Sequence, residues 1–299
     1  VAMPLSAVTW GKAKIKKPMN RVPQHKSAQY IRCGVVVREI APHSTNHPPI
    51  TYDHQDDYYI FGLIESGTAC GMIDFKELHL AQNDVFIVQP GQMHRFIAAE
   101  GIKGWLLMVD CSYVDSDEKC ILDHLLLSAS AFKIENTERN DLCGLASILA
   151  HRLNSNKGMS IGIGTQRMAE AFVSVVAEQA QKFTLQTKHS HRHTEIMLQL
   201  RNLLAQHIAE NHQPAFYASQ LNISTVYLNE IVRKLTGLST SSYIKNEIVL
   251  LAKRMLARTD LSVKQIANQL GFEDWAYFTR LFTQATSITP TAFRSKYLE

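Results

Sequence analysis

A chain of 299 residues has room for two domains with separate cores, since single domains cluster near ~100 to 150 residues. Apolar residues at 45% and charged residues at 19% exclude a disordered chain, and no apolar run approaches the ~18 residues of a membrane helix. The net charge of +4 sits in the last third: residues 190–299 hold 12 Lys and Arg against 8 Asp and Glu, while residues 1–189 hold 19 against 19. That bias favours an anionic partner such as nucleic acid.

Residues 1–28 carry Lys12, Lys14, Lys16, Lys17, Arg21 and Lys26 and no acid, which reads as a flexible basic arm or as one that touches DNA or a sensor pocket. The N-terminus lacks the positive, apolar, small-residue order of a secretory signal, so the expected location is the cytoplasm, with no membrane partner. Residues 29–113 turn to short β-type runs such as "YIRCGVVVREI", "DYYIFGLIESG" and "NDVFIVQPGQMHRFIA". Strands at that spacing, punctuated by Gly, Pro and Asn-Asp, predict a barrel or sandwich. The cysteines Cys33, Cys70, Cys111, Cys120 and Cys143 are odd in number and form no C-x-x-C pair, which points to reduced thiols rather than disulfides or a zinc ribbon.

Residues 114–189 show helical periodicity in "KCILDHLLLSA", "DLCGLASILAHRL" and "GTQRMAEAFVSVVAEQAQKF". In the last, Met168, Phe172, Val175, Val176, Gln179 and Phe183 make one stripe, which either packs on its own domain or forms a dimer seam. The polar stretch Gln186 to Glu195, with His189, His191 and His193 two apart, reads as a solvated linker, with nickel or zinc binding as the sharper alternative.

Residues 190–299 read as helices at 195–211, 214–221, 224–236, 239–259, 262–270, 274–286 and 290–298, with Ser224 and Asp274 as caps and Asp260 just before the fifth. An internal repeat runs through them. "STVYLNEIVRKLTGLSTSSYI" aligns with "DWAYFTRLFTQATSITPTAFR" at a constant offset, pairing Leu228 with Phe278, Val232 with Phe282 and Tyr243 with Phe293. Each copy is a short helix with a small residue, Ala218 or Ala267, then a tight turn and a capped helix: a helix-turn-helix unit. With the paired apolar positions inward, a 100° step per residue turns outward Ala276, Arg280 and Thr283 in the second copy and Val226, Glu230 and Arg233 in the first. The helix between the copies spans about 30 Å, close to the ~34 Å turn of B-DNA.

These residues, with Ile266-Ala267, Gly271-Phe272, Phe278, Phe282, Pro290 and Arg294, resemble the DNA-binding domain of the AraC/XylS family of transcriptional regulators. The resemblance implies base-reading positions at Val226, Asn229 and Glu230 in the first unit and at Trp275, Ala276, Tyr277 and Arg280 in the second, and helix periodicity adds Arg233 to the expected DNA-binding set. It implies as partners double-stranded promoter DNA, a small-molecule effector, a second copy of the chain and RNA polymerase. Two departures stand out: Glu230 is an acid where a base or amide is frequent, and Ser287 replaces a frequent glycine, at some cost if its backbone is left-handed.

Residues 54–96 resemble the cupin-type ligand-binding domain common in that family. The fold class implied is α+β in two domains: a cupin-like β-barrel with a helical linker, then an all-α double helix-turn-helix. Metal-holding cupins carry two histidines two apart, a glutamate and a late histidine. Here Asp56 stands where the second histidine would, between His54 and His94, and no glutamate follows at the proper distance. Three readings of His54, Asp56 and His94 stay open: a two-histidine, one-carboxylate iron site, the lining of an organic-ligand pocket, or structural residues. Strand alternation adds Tyr58 to the first two, and Glu65 and Trp105 complete the expected pocket. Such a lining suits a polar metabolite such as a sugar. The leading function is a DNA-binding regulator, with activation favoured, that is not an enzyme, with no catalytic residues, metal or cofactor expected. The alternatives are a metal-dependent cupin enzyme with a DNA-binding tail and a regulator whose barrel only dimerises.

Overall fold

The computed structural model describes residues 22–26, 34–41, 49–125, 129–155, 161–186 and 191–298. The chain divides into two compact units, one of Pro23–Leu125 with Ala129–Thr184 and the other from Leu185 onward.

The first unit is built on an eight-stranded sheet of β1 (Gln24–His25), β2 (Val35–Ile40), β3 (His54–Asp56), β4 (Tyr59–Ile73), β5 (Lys76–Ala81), β6 (Asp84–Val88), β7 (Met93–Val109) and β8 (Ala131–Lys133). The order is β1-β3-β7-β4-β6-β8, with β2 also on β7 and β5 also on β4. Two long strands dominate. β4 and β7 pair from Tyr59 opposite Val109 to Ile73 opposite His94, with register shifts at Ile64/Ser66, Ser66/Thr68 and Cys70/Gly71. Bulges of this kind raise local twist and bend a strand, so one pair of strands serves two neighbours: the Gly104–Val109 end meets β2 and the Met93–His94 end meets β3.

The first half of β4, "YIFGLI", is buried at every position, whereas its second half is exposed or half-buried until Ile73. The reason is a second layer. After α1 (Ser116–Leu125), α2 (Asn136–Ser155) packs across β2, β4 and β7. Phe61 and Leu63, Val85 and Ile87, and Leu107 and Val109 are buried on alternate positions, while Ile60, Ile64, Val88, Leu106 and Met108 turn the other way into a cavity. α3 (Ile163–Gln186) buries Ala169, Phe172, Val173, Val176, Ala177 and Ala180, and Phe183 meets Phe132 of β8 at 5.7 Å between rings. Of the expected stripe of α3, Phe172 and Val176 are buried in this unit, whereas Met168, Val175, Gln179 and Phe183 are only half-buried.

Most of the basic stretch 1–28 lies outside the described residues, but Gln24–His25 is not arm: it pairs in parallel with Gln55–Asp56. The segment Gln186–Glu195, expected as linker, is helical from His191, because the apolar period of Ile196, Met197, Leu200 and Leu204 carries the helix back into it. His189 lies outside the described residues, and His193 stands on that helix with its ring 6.0 Å from Tyr227.

The second unit is all helical: α4 (His191–His207), α5 (Pro214–Gln220), α6 (Thr225–Thr236), α7 (Thr240–Arg258), α8 (Val263–Gln269), α9 (Trp275–Thr286) and α10 (Pro290–Leu298). Among the described residues, no helix is long and apolar enough to cross a membrane.

Candidate functional site

The second unit holds two copies of one local construction. α5 starts with Pro214 at its first turn, where a missing N–H costs nothing, and buries Tyr217 and Ala218. The turn passes through Asn222, at φ 54°, to Ser224, whose side chain accepts from the Tyr227 amide and starts α6. In the second copy α8 buries Ile266 and Ala267, the turn passes through Gly271 at φ 79°, and Asp274 accepts from the Ala276 amide to start α9. Ser262, in a reciprocal capping box with Gln265, starts α8, two residues after Asp260.

The inward residues match. Leu228 and Phe278, and Val232 and Phe282, are fully buried, and Tyr243 and Phe293 nearly so. The Arg294 guanidinium ties α10 to the end of α7 and its loop, donating to the Leu256 carbonyl at 3.3 Å and the Leu261 carbonyl at 2.5 Å. Burial lowers its pKa from the usual arginine value, the expected response of a cation losing water.

The outward residues are the candidate nucleic-acid interface. Val226 is 78% exposed, Trp275 50% and Tyr277 46%. Glu230, Arg233 and Arg280 are exposed, and Ala276 is half-buried between its neighbours. The Arg280 guanidinium lies 6.0 Å from the Tyr277 ring centre and 3.7 Å from Asp274 Oδ2, both on the rim of α9. Asn229 stands apart from this set. Its Oδ1 accepts from the Thr240 amide at 3.0 Å, and so holds α6 against the start of α7. Fifty residues on, Pro290 has no amide to satisfy and Thr279 replaces the asparagine, donating instead to Trp275 O. Pro290 shows why the second unit can dispense with the asparagine, a pairing of distant positions that helical periodicity does not register.

The first unit encloses a cavity of ≈ 240 Å³. Its walls are mostly apolar, from Ile60, Ile64, Ile73, Leu78, Leu80, Phe86, Val88, Leu106 and Met108, and Arg38, Glu39, His54, Asp56, Tyr58, His94 and Arg95 supply most of the polar part. Four expected pocket residues, His54, Asp56, Tyr58 and His94, thus come together. Glu65 and Trp105 do not. Glu65 is exposed, one position past cavity-lining Ile64, and Trp105 precedes cavity-lining Leu106, so strand alternation puts both on the other side of the sheet.

At the polar end sits a buried cluster with a member that local sequence pattern gives no reason to include. His25 of β1, opposite Asp56, places Nδ1 3.2 Å from Asp56 Oδ1. His94 Nε2 is 3.1 Å and His54 Nε2 4.0 Å from Asp56 Oδ2. The His54 and His94 rings lie 4.1 Å apart, and Tyr52 Oη reaches His25 Nε2 at 3.3 Å. Burial pushes the His54 pKa down to about 4, with His94 adding to the fall and Asp56 opposing it. Burial also lowers that of His25 against the pull of Asp56.

The family model described as an AraC-like ligand binding domain matches residues 40–116, and the one described as a helix-turn-helix domain matches residues 217–296. An uncharacterized HTH-type transcriptional regulator of Bacillus subtilis, YfiF, is 21% identical over 99% of this chain and 92% of its own length. The regulatory protein PocR of Salmonella typhimurium is 27% identical over 93 residues, 31% of each chain. The arabinose operon regulatory protein of Escherichia coli is 28% identical over 93 residues, 31% of this chain and 32% of its own. PocR and the arabinose regulator are therefore matched over only about a third of their length. With a cavity-bearing sheet where one model matches and a doubled helix-turn-helix where the other does, the chain belongs to the AraC family of HTH-type transcriptional regulators.

Proposed function

We propose that the chain regulates transcription by setting α6 and α9 into successive major grooves of a promoter while the first unit takes a small-molecule effector. One observation carries the DNA reading. Two copies of one construction, one before α7 in the chain and one after it, expose Val226, Glu230 and Arg233 in the first and Trp275, Tyr277 and Arg280 in the second, with Ala276 half-buried among the latter, and α7, with 19 residues, spans about 28 Å. Selecting bound sequences from a random duplex library and measuring the winner by fluorescence anisotropy tests it. Arg280→Ala should cost about 1–3 kcal/mol and relax preference at one base position. Unchanged affinity and preference would remove Arg280 from the interface.

For the effector, the cavity wall favours an apolar body with one oxygen-bearing end directed at His54, His94 and Arg95, in place of the sugar that the acids and aromatics of the sequence suggested. Thermal unfolding of the full chain against sugars and hydrophobic carboxylates decides between them, because a ligand at a hundred times its Kd adds about 2.7 kcal/mol to native stability. A response to a sugar alone would restore the sugar reading. Activation rather than repression, contact with RNA polymerase, a homodimeric state and a cytoplasmic site of action are carried over from the family. A promoter-fusion reporter and sedimentation of the purified chain test the first and third.

A further inference from the structure

The fixed orientation of two histidines in the cavity cluster leads beyond ligand binding. His54 Nδ1 lies 3.0 Å from the Tyr52 carbonyl and His94 Nδ1 3.1 Å from the Gln92 carbonyl. A carbonyl oxygen only accepts, so both Nδ1 atoms carry the proton, and in the neutral rings both Nε2 lone pairs face Asp56 Oδ2. Acceptor would then face acceptor inside a buried site, which costs free energy unless a proton on one ring or a metal ion lies between them. Among the described residues, neither Asp56 oxygen nor His94 Nε2 makes a contact with hydrogen-bond geometry, although Asp56 is 1% exposed. Donating the far ring N–H to a backbone carbonyl is also how metal-ligating histidines are held.

We propose that His25, His54, Asp56 and His94 bind one divalent first-row transition ion, of the zinc, iron or cobalt type, in which His25 supplies the imidazole that the His54-x-Asp56 pattern lacks. One ligand atom from each of His25, His54 and Asp56 lies within 4.8 Å of the others, with His94 Nε2 at 3.1 Å from the carboxylate. An ion held at ~2.0–2.2 Å from each ligand sets neighbouring ligand atoms roughly 3.3–3.6 Å apart, close to the 3.1 and 3.2 Å already present between Asp56 and His94 or His25. Imidazole-rich donors with one carboxylate select such ions over magnesium and calcium. The ligands come from β1, β3 and β7, so the ion also pins the two-residue strand β1 to the sheet. The ion takes the Nε2 atoms of His54 and His94, so an effector's oxygen-bearing end would meet the ion and Arg95 rather than the free imidazoles; the DNA reading is untouched, and Co²⁺ binding is read without any effector.

The test is titration of the full, untagged, metal-free chain with Co²⁺, read by visible d–d absorption. The expected result is saturation at one equivalent per chain, with displacement by Zn²⁺. Asp56→Asn keeps the side-chain volume and His25→Gln alters only a short edge strand. Each should weaken Co²⁺ binding by more than roughly tenfold, the least that losing even an outer-shell partner brings. No saturable absorption in the wild-type chain overturns the proposal. So does an unchanged spectrum and affinity in both variants, or intense thiolate-to-cobalt bands, which would move the ion to the half-buried Cys70 with the exposed Glu77 and His79.

Discussion

The two helix-turn-helix units differ most where they agree least with each other's surroundings. Leu228 and Phe278, or Val232 and Phe282, are equally buried and interchangeable in role. Outside, Glu230 stands where the second unit has Arg280, Thr225 where it has Trp275, and Asn229 where it has Thr279. A buried pattern thus suffices to repeat a backbone, while the charge and reach of the exposed face are free to diverge. The second unit exposes a cation and two aromatics, whereas the first exposes an acid, Arg233 and a valine.

The turns break the equivalence most sharply. At Gly271 an added Cβ would lie 2.2 Å from the Ala209 carbonyl oxygen, and the residue sits at φ 79°. Gly271→Asn therefore meets both a left-handed backbone and a clash, and should cost about 3 kcal/mol or more by urea unfolding. The mirror change, Asn222→Gly, at φ 54° in the first unit, should stay within about 0.5 kcal/mol. Similar costs at both turns would mean that the α4–α5 connection yields where the structure has it firm.

The exposed faces come next. Arg280→Ala should weaken a selected duplex by about 1–3 kcal/mol, while Glu230→Ala should strengthen it, since an acid beside phosphates repels them, and leave base preference intact. Loss of preference for a cytosine in Glu230→Ala would give that carboxylate a base to read and place the two units on equal terms.

Why some of this was legible and some was not follows from distance along the chain. The helices of the second unit, its duplicated core and the caps Ser224 and Asp274 are local or periodic, and sequence periodicity found them. His54, Asp56 and Tyr58 follow alternation, and His94 the turn at Pro90-Gly91. Glu65 and Trp105 were placed in the pocket by chemical type, against the parity that Ile64 and Leu106 obey. His25 reaches Asp56 through a parallel pairing of two residues, about thirty positions away, and nothing local in a basic, acid-free stretch marks it. The commitment of Asn229 was equally hidden, because it depends on Thr240 having an amide where Pro290 has none.

That last dependence is itself testable at a smaller scale. Asn229→Thr, copying the second unit, should cost about 1 kcal/mol by leaving the Thr240 amide unaccepted beside a residue 2% exposed. In a Thr240→Pro background the same change should cost near nothing, because the amide is gone and Ser239, at ψ 155°, already has the extended backbone a following proline requires. A full cost in both backgrounds would show that Asn229 acts otherwise than by accepting that bond.

The smallest difference lies at the ends of the two outward helices. Gly237 and Ser287 close α6 and α9 in the same left-handed conformation, at φ 75° and 63°, each donating its amide 2.8 Å to a carbonyl one turn back. A glycine adopts that backbone without the Cβ–carbonyl crowding a serine meets, but it loses more freedom on folding. The crowding is the larger of the two, so Ser287→Gly should stabilise the second unit by about 0.5–1 kcal/mol and Gly237→Ser should destabilise the first by a similar amount, both read as shifts in the urea midpoint at constant slope. If Ser287→Gly is neutral while Gly237→Ser is costly, the serine's crowding is relieved by its own surroundings, and the two helix ends differ in more than one side chain.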